Sequence, residues 1–544
     1  MILQREIVNM WSRGEPTVRS IVRRLPIVLV LAYLPSLGSW AASPPALPIS
    51  PATIDATVAR AMKAFQVPGM AVGIVKDGKL VYAKGYGVRE LGKAAQVDAD
   101  TLFQIGSNTK AFTTAALAIL VDAGKIHWDD KVIDYLPQFR MQDPYVTREF
   151  TIRDLLTHRS GLGMGAGDLM FFPATDLSRD EIIHGLRYLK PVSGFRSKFD
   201  YDNLLYMVAG QIIPAVTGKS WEDFVTERIL DPLQMQPCAA SYTRIADRSD
   251  VASPHVVIKG ELKAIPVLNM DAVGPAGTIN CSINGMAKWL ETQLAAGKMP
   301  TGQQLFTAER SEEMWSMNTI IPVSPLFTTM YRTHFNGYAL GWGVQDVLGY
   351  KKVAHTGGVL GSVTWVAMIP ELQLGVLVFT NQESGMAMEA VGDQILDAYL
   401  KAPRRDWVAI GTSYGAKRDA AAKTIEDAAA KIEGSSGSPS LELAAYAGTY
   451  RDPWRGEATV RLENDKLILK ISRTDSLEGP LTPYSGNIFI VHWNDRTLNA
   501  DAFVRFDQGY DTKVAEMTMR AVSPATDFSF DFQDLHFSKA DNSQ

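Results

Sequence analysis

The apolar positions of this chain follow two periods, and the expected architecture changes where the period changes. Near the start, Ile54, Val58, Met62 and Phe65 recur at helical spacing behind Ser50-Pro51. A capping serine followed by a proline suited to the first helical position predicts an amphipathic helix. The runs 70–75 and 79–86 then flank Asp77-Gly78, the dipeptide of a two-residue hairpin turn, and predict two antiparallel strands. After Gly106 the residues Ala111, Phe112, Ala115, Ala116, Leu117, Ile119, Leu120 and Val121 leave no polar face. Such a run predicts a helix buried nearly all round.

Helical patterns and loops dominate from there to about residue 340, punctuated by Pro214, Gly218, Pro232 and Pro237. Strand signals return at 352–355, 362–369 and 374–380, and a helix over 386–400 closes the unit. The economical arrangement is an α/β (α+β) fold: one antiparallel sheet drawn from both ends of the domain, flanked by helices, with an inserted helical subdomain. A cleft would run between sheet and insert. Across 403–440 the composition shifts to an alanine-rich helical stretch, 418–432, and the linker Gly434-Ser435-Ser436-Gly437-Ser438-Pro439. Beyond it, 458–462, 467–471, 488–491, 503–506 and 528–532 alternate with period two, which predicts a small C-terminal all-β barrel or sandwich.

With 544 residues, two globular units plus extra segments are expected, and 46% hydrophobic with 21% charged residues is the balance of a soluble protein. A net charge of −5 gives no reason to expect a nucleic-acid partner. Cys238 and Cys281 exclude a disulfide scaffold and a cysteine metal cluster; pairing and two buried free thiols both remain open. Arg13, Arg19, Arg23 and Arg24 precede an apolar run, 25–38, and the small-residue pattern Ser39-Trp40-Ala41. This reads as a secretory signal peptide over 1–41, so a periplasmic or secreted protein is expected. The run is shorter than the roughly 18 residues of a span and contains Pro26 and Pro35, so no permanent membrane anchor is expected. The expected domains are then 50–402, a helical segment and linker over 403–440, and a β-domain over 441–544.

The candidate chemistry starts at the mouth of the apolar helix, where Ser107 and Lys110 stand three residues apart and share a face. A lysine buried there loses hydration, favours its neutral form and becomes a base for a serine hydroxyl. Ser-x-x-Lys alone should occur on the order of two times by chance in such a chain. Its weight comes from two later stretches. Phe199-Asp200-Tyr201-Asp202-Asn203 precedes a helix at 204–216, and His355-Thr356-Gly357-Gly358 lies where a strand is expected to end or kink. Its glycines allow close backbone approach to a ligand. Gly411-Thr412-Ser413-Tyr414-Gly415 matches a nucleophile elbow behind a short strand, 408–410, but no alternating strands and helices follow to build its sheet. The glycine-rich loop at 161–167 has no Gly-Lys-Ser/Thr after it, His158 reads as structural, and no histidine spacing suits a metal.

In this order the three motifs resemble the penicillin-recognising serine hydrolases, which include class C β-lactamases, D,D-carboxypeptidases, D-aminopeptidases and β-lactamase-fold esterases. Leu155-Leu156-Thr157-His158-Arg159-Ser160-Gly161-Leu162, Gly274-Pro275-Ala276-Gly277-Thr278 and Tyr338-Ala339-Leu340-Gly341-Trp342-Gly343 are similar to family segments. The resemblance covers about 54–400, and the tail from about 441 resembles the lipocalin-like domain appended to some members. It implies a β-lactamase/transpeptidase-like fold and an acyl-enzyme on Ser107. Lys110 and Tyr201 would move the proton, Asn203 would help hold substrate, and the backbone N–H groups of Ser107 and Gly358 would form the oxyanion hole. No cofactor or metal is implied. Where lactamases have lysine in Lys-Thr-Gly, this chain has His355, largely neutral at pH 7 and shorter in reach. Peptide or amide hydrolysis therefore ranks first, on peptides with D- or non-standard residues such as peptidoglycan stems or linearised cyclic peptides of the microcystin kind. Carboxylesterase, then β-lactamase or D,D-carboxypeptidase, and a penicillin-binding sensor module are the alternatives.

Overall fold

Asp77 and Gly78 adopt φ of 51° and 72°, the left-handed pair that a two-residue turn needs, and join strands β1 (Gly69–Lys76) and β2 (Lys79–Gly87). This computed structural model describes residues 47–435 and 438–540. The expected signal segment lies outside the described residues, as do Ser436 and Gly437 of the expected linker. Among the described residues no helix is long and apolar enough to cross a membrane.

The main sheet is antiparallel and eight-stranded. It adds β3 (Thr319–Ile320), β4 (Asn336–Tyr338), β5 (Gly343–Val347), β6 (Tyr350–Val359), β7 (Ser362–Ile369) and β8 (Leu374–Thr380), in the order β2-β1-β8-β7-β6-β5-β4-β3. The early hairpin and the late strands thus meet at the β1/β8 pair, with Val72 opposite Val378. Strand β8 is buried at every position and β1 at all but its last, because helices cover both faces. On one face lie α1 (Pro51–Phe65), capped by the Ser50 hydroxyl accepting from the Thr53 amide, and α4 (Gly385–Tyr399). On the other lies the insert, which contains α2 (Thr109–Asp122) and α3 (Leu204–Thr217). Every residue of α2 from Thr109 to Leu120 is buried, as its pattern required.

Strand β6 continues through His355-Thr356-Gly357-Gly358 rather than ending there. It stays laddered to β7 as far as Val359, but β5 accompanies it only as far as Ala354. The outer edge from His355 onward is left to face the insert.

The stretch that matched a nucleophile elbow but lacked its sheet is helical: α5 runs from Trp407 to Ser435 and contains Ser413. Asp406 starts it by accepting from the Ala409 amide, and Trp407 and Val408 are buried on the α1/α4 side of the sheet, which a helix permits and an isolated strand would not. Cys238 and Cys281 form a disulfide. Cys281 belongs to a two-residue strand paired with Phe103–Gln104, immediately ahead of the Ser107 turn.

The tail is a closed barrel of eight antiparallel strands: β9 (Gly448–Asp452), β10 (Gly456–Glu463), β11 (Lys466–Ile471), β12 (Glu478–Ser485), β13 (Ile488–Val491), β14 (Ala502–Gln508), β15 (Val514–Ala521) and β16 (His536–Lys539). The stretch 528–532, expected as a strand, is the connection from β15 to β16. It packs on the hydrolase unit, with the Phe530 ring 5.1 Å from that of Phe172.

Candidate active site

Ser107 sits in a single 3₁₀ turn, Gly106–Asn108, that feeds α2. Gly106 takes φ of 52°, and a Cβ there would lie 2.7 Å from the Gly358 nitrogen. A Cβ on Gly357 would lie 1.8 Å from the Ile105 carbonyl oxygen. Only glycine at 357 lets the free edge of β6 approach the Ser107 turn this closely. Thr356 and Gly358 are exposed on that strand.

One turn along, Lys110 is wholly buried. Its Nζ stands 2.9 Å from Ser107 Oγ and donates to Asn203 Oδ1 at 2.7 Å and to the Ala276 carbonyl at 3.0 Å. Burial pulls its pKa down to about 7, against the opposing pull of the Asp168 and Asp202 carboxylates. Tyr201 covers it, with Nζ 4.8 Å from the ring centroid. The Tyr201 hydroxyl is buried without a hydrogen bond of ordinary geometry. Burial raises its pKa well above the usual value, partly offset by the Ser107 hydroxyl.

Asn203 stands at the mouth of α3 with both ends of its amide in use, since Nδ2 donates to Asp168 Oδ2 at 2.8 Å. It holds the lysine rather than presenting itself to a substrate. His355 is likewise tied back. Its Nδ1 bonds the Thr356 carbonyl at 2.6 Å, which fixes the proton there, and Nε2 accepts from the Tyr338 hydroxyl at 2.8 Å. Burial, with Lys110 nearby, depresses its pKa to about 3, so it is neutral and offers no cation to a carboxylate.

The structure brings all the sequence-derived candidates to one place, with the Tyr201 and His355 rings 6.2 Å apart. It adds others. His158 is buried, lies tilted against Tyr201 at 4.2 Å between centroids, and accepts from the Asp202 amide through Nδ1 at 3.1 Å. Burial pushes its pKa well down. Asp168, directly after the glycine-rich loop, and Ser529 of the barrel also reach the site. The aspartate after a run of glycines was the one readable signal for the first; the second had none.

A serine and a buried lysine at the head of a core helix, roofed by a tyrosine and faced by a glycine-lined strand edge, are the arrangement expected of the penicillin-recognising serine hydrolase family. The chain belongs to the β-lactamase family, which residues 54–400 match, while 433–539 match a domain of unknown function, DUF3471. Among its relatives, the unguisins hydrolase of Aspergillus campestris is 29% identical over 460 residues, spanning 80% of this chain and 82% of that protein. Protein flp of Staphylococcus aureus is 25% identical over 341 residues, spanning 61% and 63%. The octameric penicillin-binding protein homologue from Pyrococcus abyssi shares the fold, with a TM-score of 0.59 at 22% identity over 90% of this chain and all of that one.

Proposed function

We propose that the protein is a serine peptidase or amidase that acylates Ser107, acting on peptides that contain D- or non-standard residues. The observation that carries this reading is the environment of Lys110. A neutral amine has two N–H groups and one lone pair. Asn203 Oδ1 and the Ala276 carbonyl take the two hydrogens, which leaves the lone pair for the proton of the Ser107 hydroxyl, whose Oγ is 2.9 Å away. Serine attack on the amide carbonyl sends that proton to Lys110. The Tyr201 hydroxyl, buried without a hydrogen bond of ordinary geometry, then gives its proton to the departing nitrogen and takes the proton held by Lys110 in its place, which returns the lysine to its neutral form; an amide needs this step and an ester does not. The N–H groups of Ser107 and Gly358 hold the developing oxyanion, and losing one such donor typically costs ~10²–10³ in turnover.

Two features favour peptides over β-lactams. His355 is neutral where a carboxylate-binding cation would stand. Phe528 is exposed and edge-on to Tyr201 at 6.0 Å, an apolar surface suited to a substrate side chain. The naming of relatives as unguisins hydrolases supports hydrolysis as the reaction. The test is a panel of peptides varied in terminus and chirality, assayed on wild type and Ser107→Ala. Cleavage by wild type that is lost in the variant is expected; cleavage that survives in Ser107→Ala overturns the reading. Matched ester and anilide substrates on Tyr201→Phe check the proton path, with anilide turnover falling much more than ester turnover.

A further inference from the structure

The hydrogen bonds that begin at Ser107 do not end within the hydrolase unit. Lys110 bonds Asn203 Oδ1, and Asn203 Nδ2 bonds Asp168 Oδ2. That same oxygen accepts from the Ser529 hydroxyl at 2.9 Å, and Ser529 lies on the barrel connection between β15 and β16. Two residues on, Asp531 accepts from the Gly167 amide at 2.6 Å and the Leu169 amide at 2.9 Å, gripping the backbone on either side of Asp168. Lys110, Asp168 and Asp531 are wholly buried. Asn203 and Ser529 are nearly so.

The chemistry depends on which way the Asn203 amide points. With Oδ1 toward Lys110, the amide takes an amine hydrogen and leaves the lone pair for Ser107. Turned over, its NH₂ would meet Nζ and occupy that lone pair. Only a neighbour that accepts from Nδ2 excludes the second orientation, and Asp168 Oδ2 is that acceptor. Asp168 Oδ1 is buried without a partner, so Oδ2 alone meets both donors. Within the hydrolase unit Asp168 is held through its backbone, its amide donating to the Gly165 carbonyl at 2.9 Å and its own carbonyl accepting from the Phe171 and Phe172 amides; its Oδ2 is shared between Asn203 and the barrel's Ser529.

We propose that Asp168 and Ser529 are positioning residues for the catalytic lysine: the barrel connection fixes Asp168, Asp168 fixes the Asn203 amide, and the amide leaves Lys110 free to take the serine proton. The barrel thereby completes the acylation apparatus. This rests on Ser107 and Lys110 being nucleophile and base.

The test uses the full chain and a fluorophosphonate probe, which reads serine activation without peptide recognition. Ser107 Oγ bonds phosphorus, the P–F bond breaks, fluoride leaves with the electron pair, and the serine proton passes to Lys110. Labelling rates and unfolding midpoints are measured for wild type, Ser107→Ala, Ser529→Ala, Ser529→Thr, Asp168→Ala and Asp168→Asn. Ser529→Ala should label about tenfold more slowly, the size of one net hydrogen bond. Asp168→Ala should fall ~10²-fold, as expected for a misplaced base. Ser529→Thr keeps the donor and Asp168→Asn keeps the acceptor oxygen, so both should label within a few-fold of wild type. The proposal is overturned if Ser529→Ala and Asp168→Ala label at the wild-type rate, or if Asp168→Asn is as slow as Asp168→Ala. Wild type that fails to label, or labelling that persists in Ser107→Ala, overturns the assignment of the nucleophile instead. Should Asp168→Ala not fold, the Ser529 pair decides alone.

Discussion

Lys110 shows how one burial decides a proton. An exposed lysine is an ammonium at neutral pH and cannot take a proton from serine. Stripped of water, this one titrates at about 7. Burial sets the direction and the Asp168 and Asp202 carboxyls oppose it by favouring the ammonium, while His158 and His355 beside it are pushed toward their neutral forms. The sign follows. In the proposed mechanism the amine is the active form, so kcat/KM should rise with pH through about 7 and fall roughly tenfold per unit well below it, measured on a neutral peptide substrate. A flat profile across that range would sink the lysine as base. The motif spacing was legible in the sequence, because i and i+3 share a helix face wherever the helix is. The ties that occupy His355 were not, since Tyr338 reaches it only through the β4–β5–β6 pleat and nothing local marks the pairing.

At the level of elements, the close approach of β6 to the Ser107 turn is the arrangement least tolerant of change. Gly357→Ala would push a methyl group into the Ile105 carbonyl, so activity should be lost and the unfolding free energy should fall by about 1–3 kcal/mol, read by thermal or denaturant melts. Gly78→Ala is the control: the space is open there, so only the left-handed φ is penalised, by about 1 kcal/mol, and turnover should be unchanged. The hairpin at Asp77-Gly78 and the fully apolar α2 were readable because turn chemistry and periodicity are local. The strand through Gly357 and Gly358 was not, for glycines weaken a strand signal even where a neighbour holds them in register. The stretch 407–415 was ambiguous for a related reason: a short apolar run fits strand and helix alike, and its packing against α1 and α4 decides.

For the whole molecule, two long-range links carry most of what composition could not convey. The Cys238–Cys281 disulfide closes a 43-residue separation and anchors the strand before the nucleophile turn. Opening it with Cys281→Ser should lower stability by about 4 kcal/mol in the chain-entropy account, and a reductant should produce the same fall in wild type but none in the variant. The exposed Arg473 contacts to Asp176 and Glu181 join barrel to hydrolase at the surface. Arg473→Ala should cost no more than about 1 kcal/mol and leave probe labelling untouched, in contrast to the buried Ser529. Sequence could assign 441–544 to a β-domain from period-two alternation, yet it could not say that Ser529, on one connection of that domain, lies beside Asp168. The partners are 361 residues apart, and a serine in a loop carries no mark of where it will dock.

The order of synthesis gives that contact a further meaning. The nucleophile and its lysine emerge from the ribosome early, and the segment bearing Ser529 and Asp531 comes late. On the proposal above, a nascent or clipped chain that lacks the segment would have its serine but not the brace that aims its base. Full reactivity of Ser107 would then arrive only once that segment is made, and the barrel would act as a built-in check on completeness.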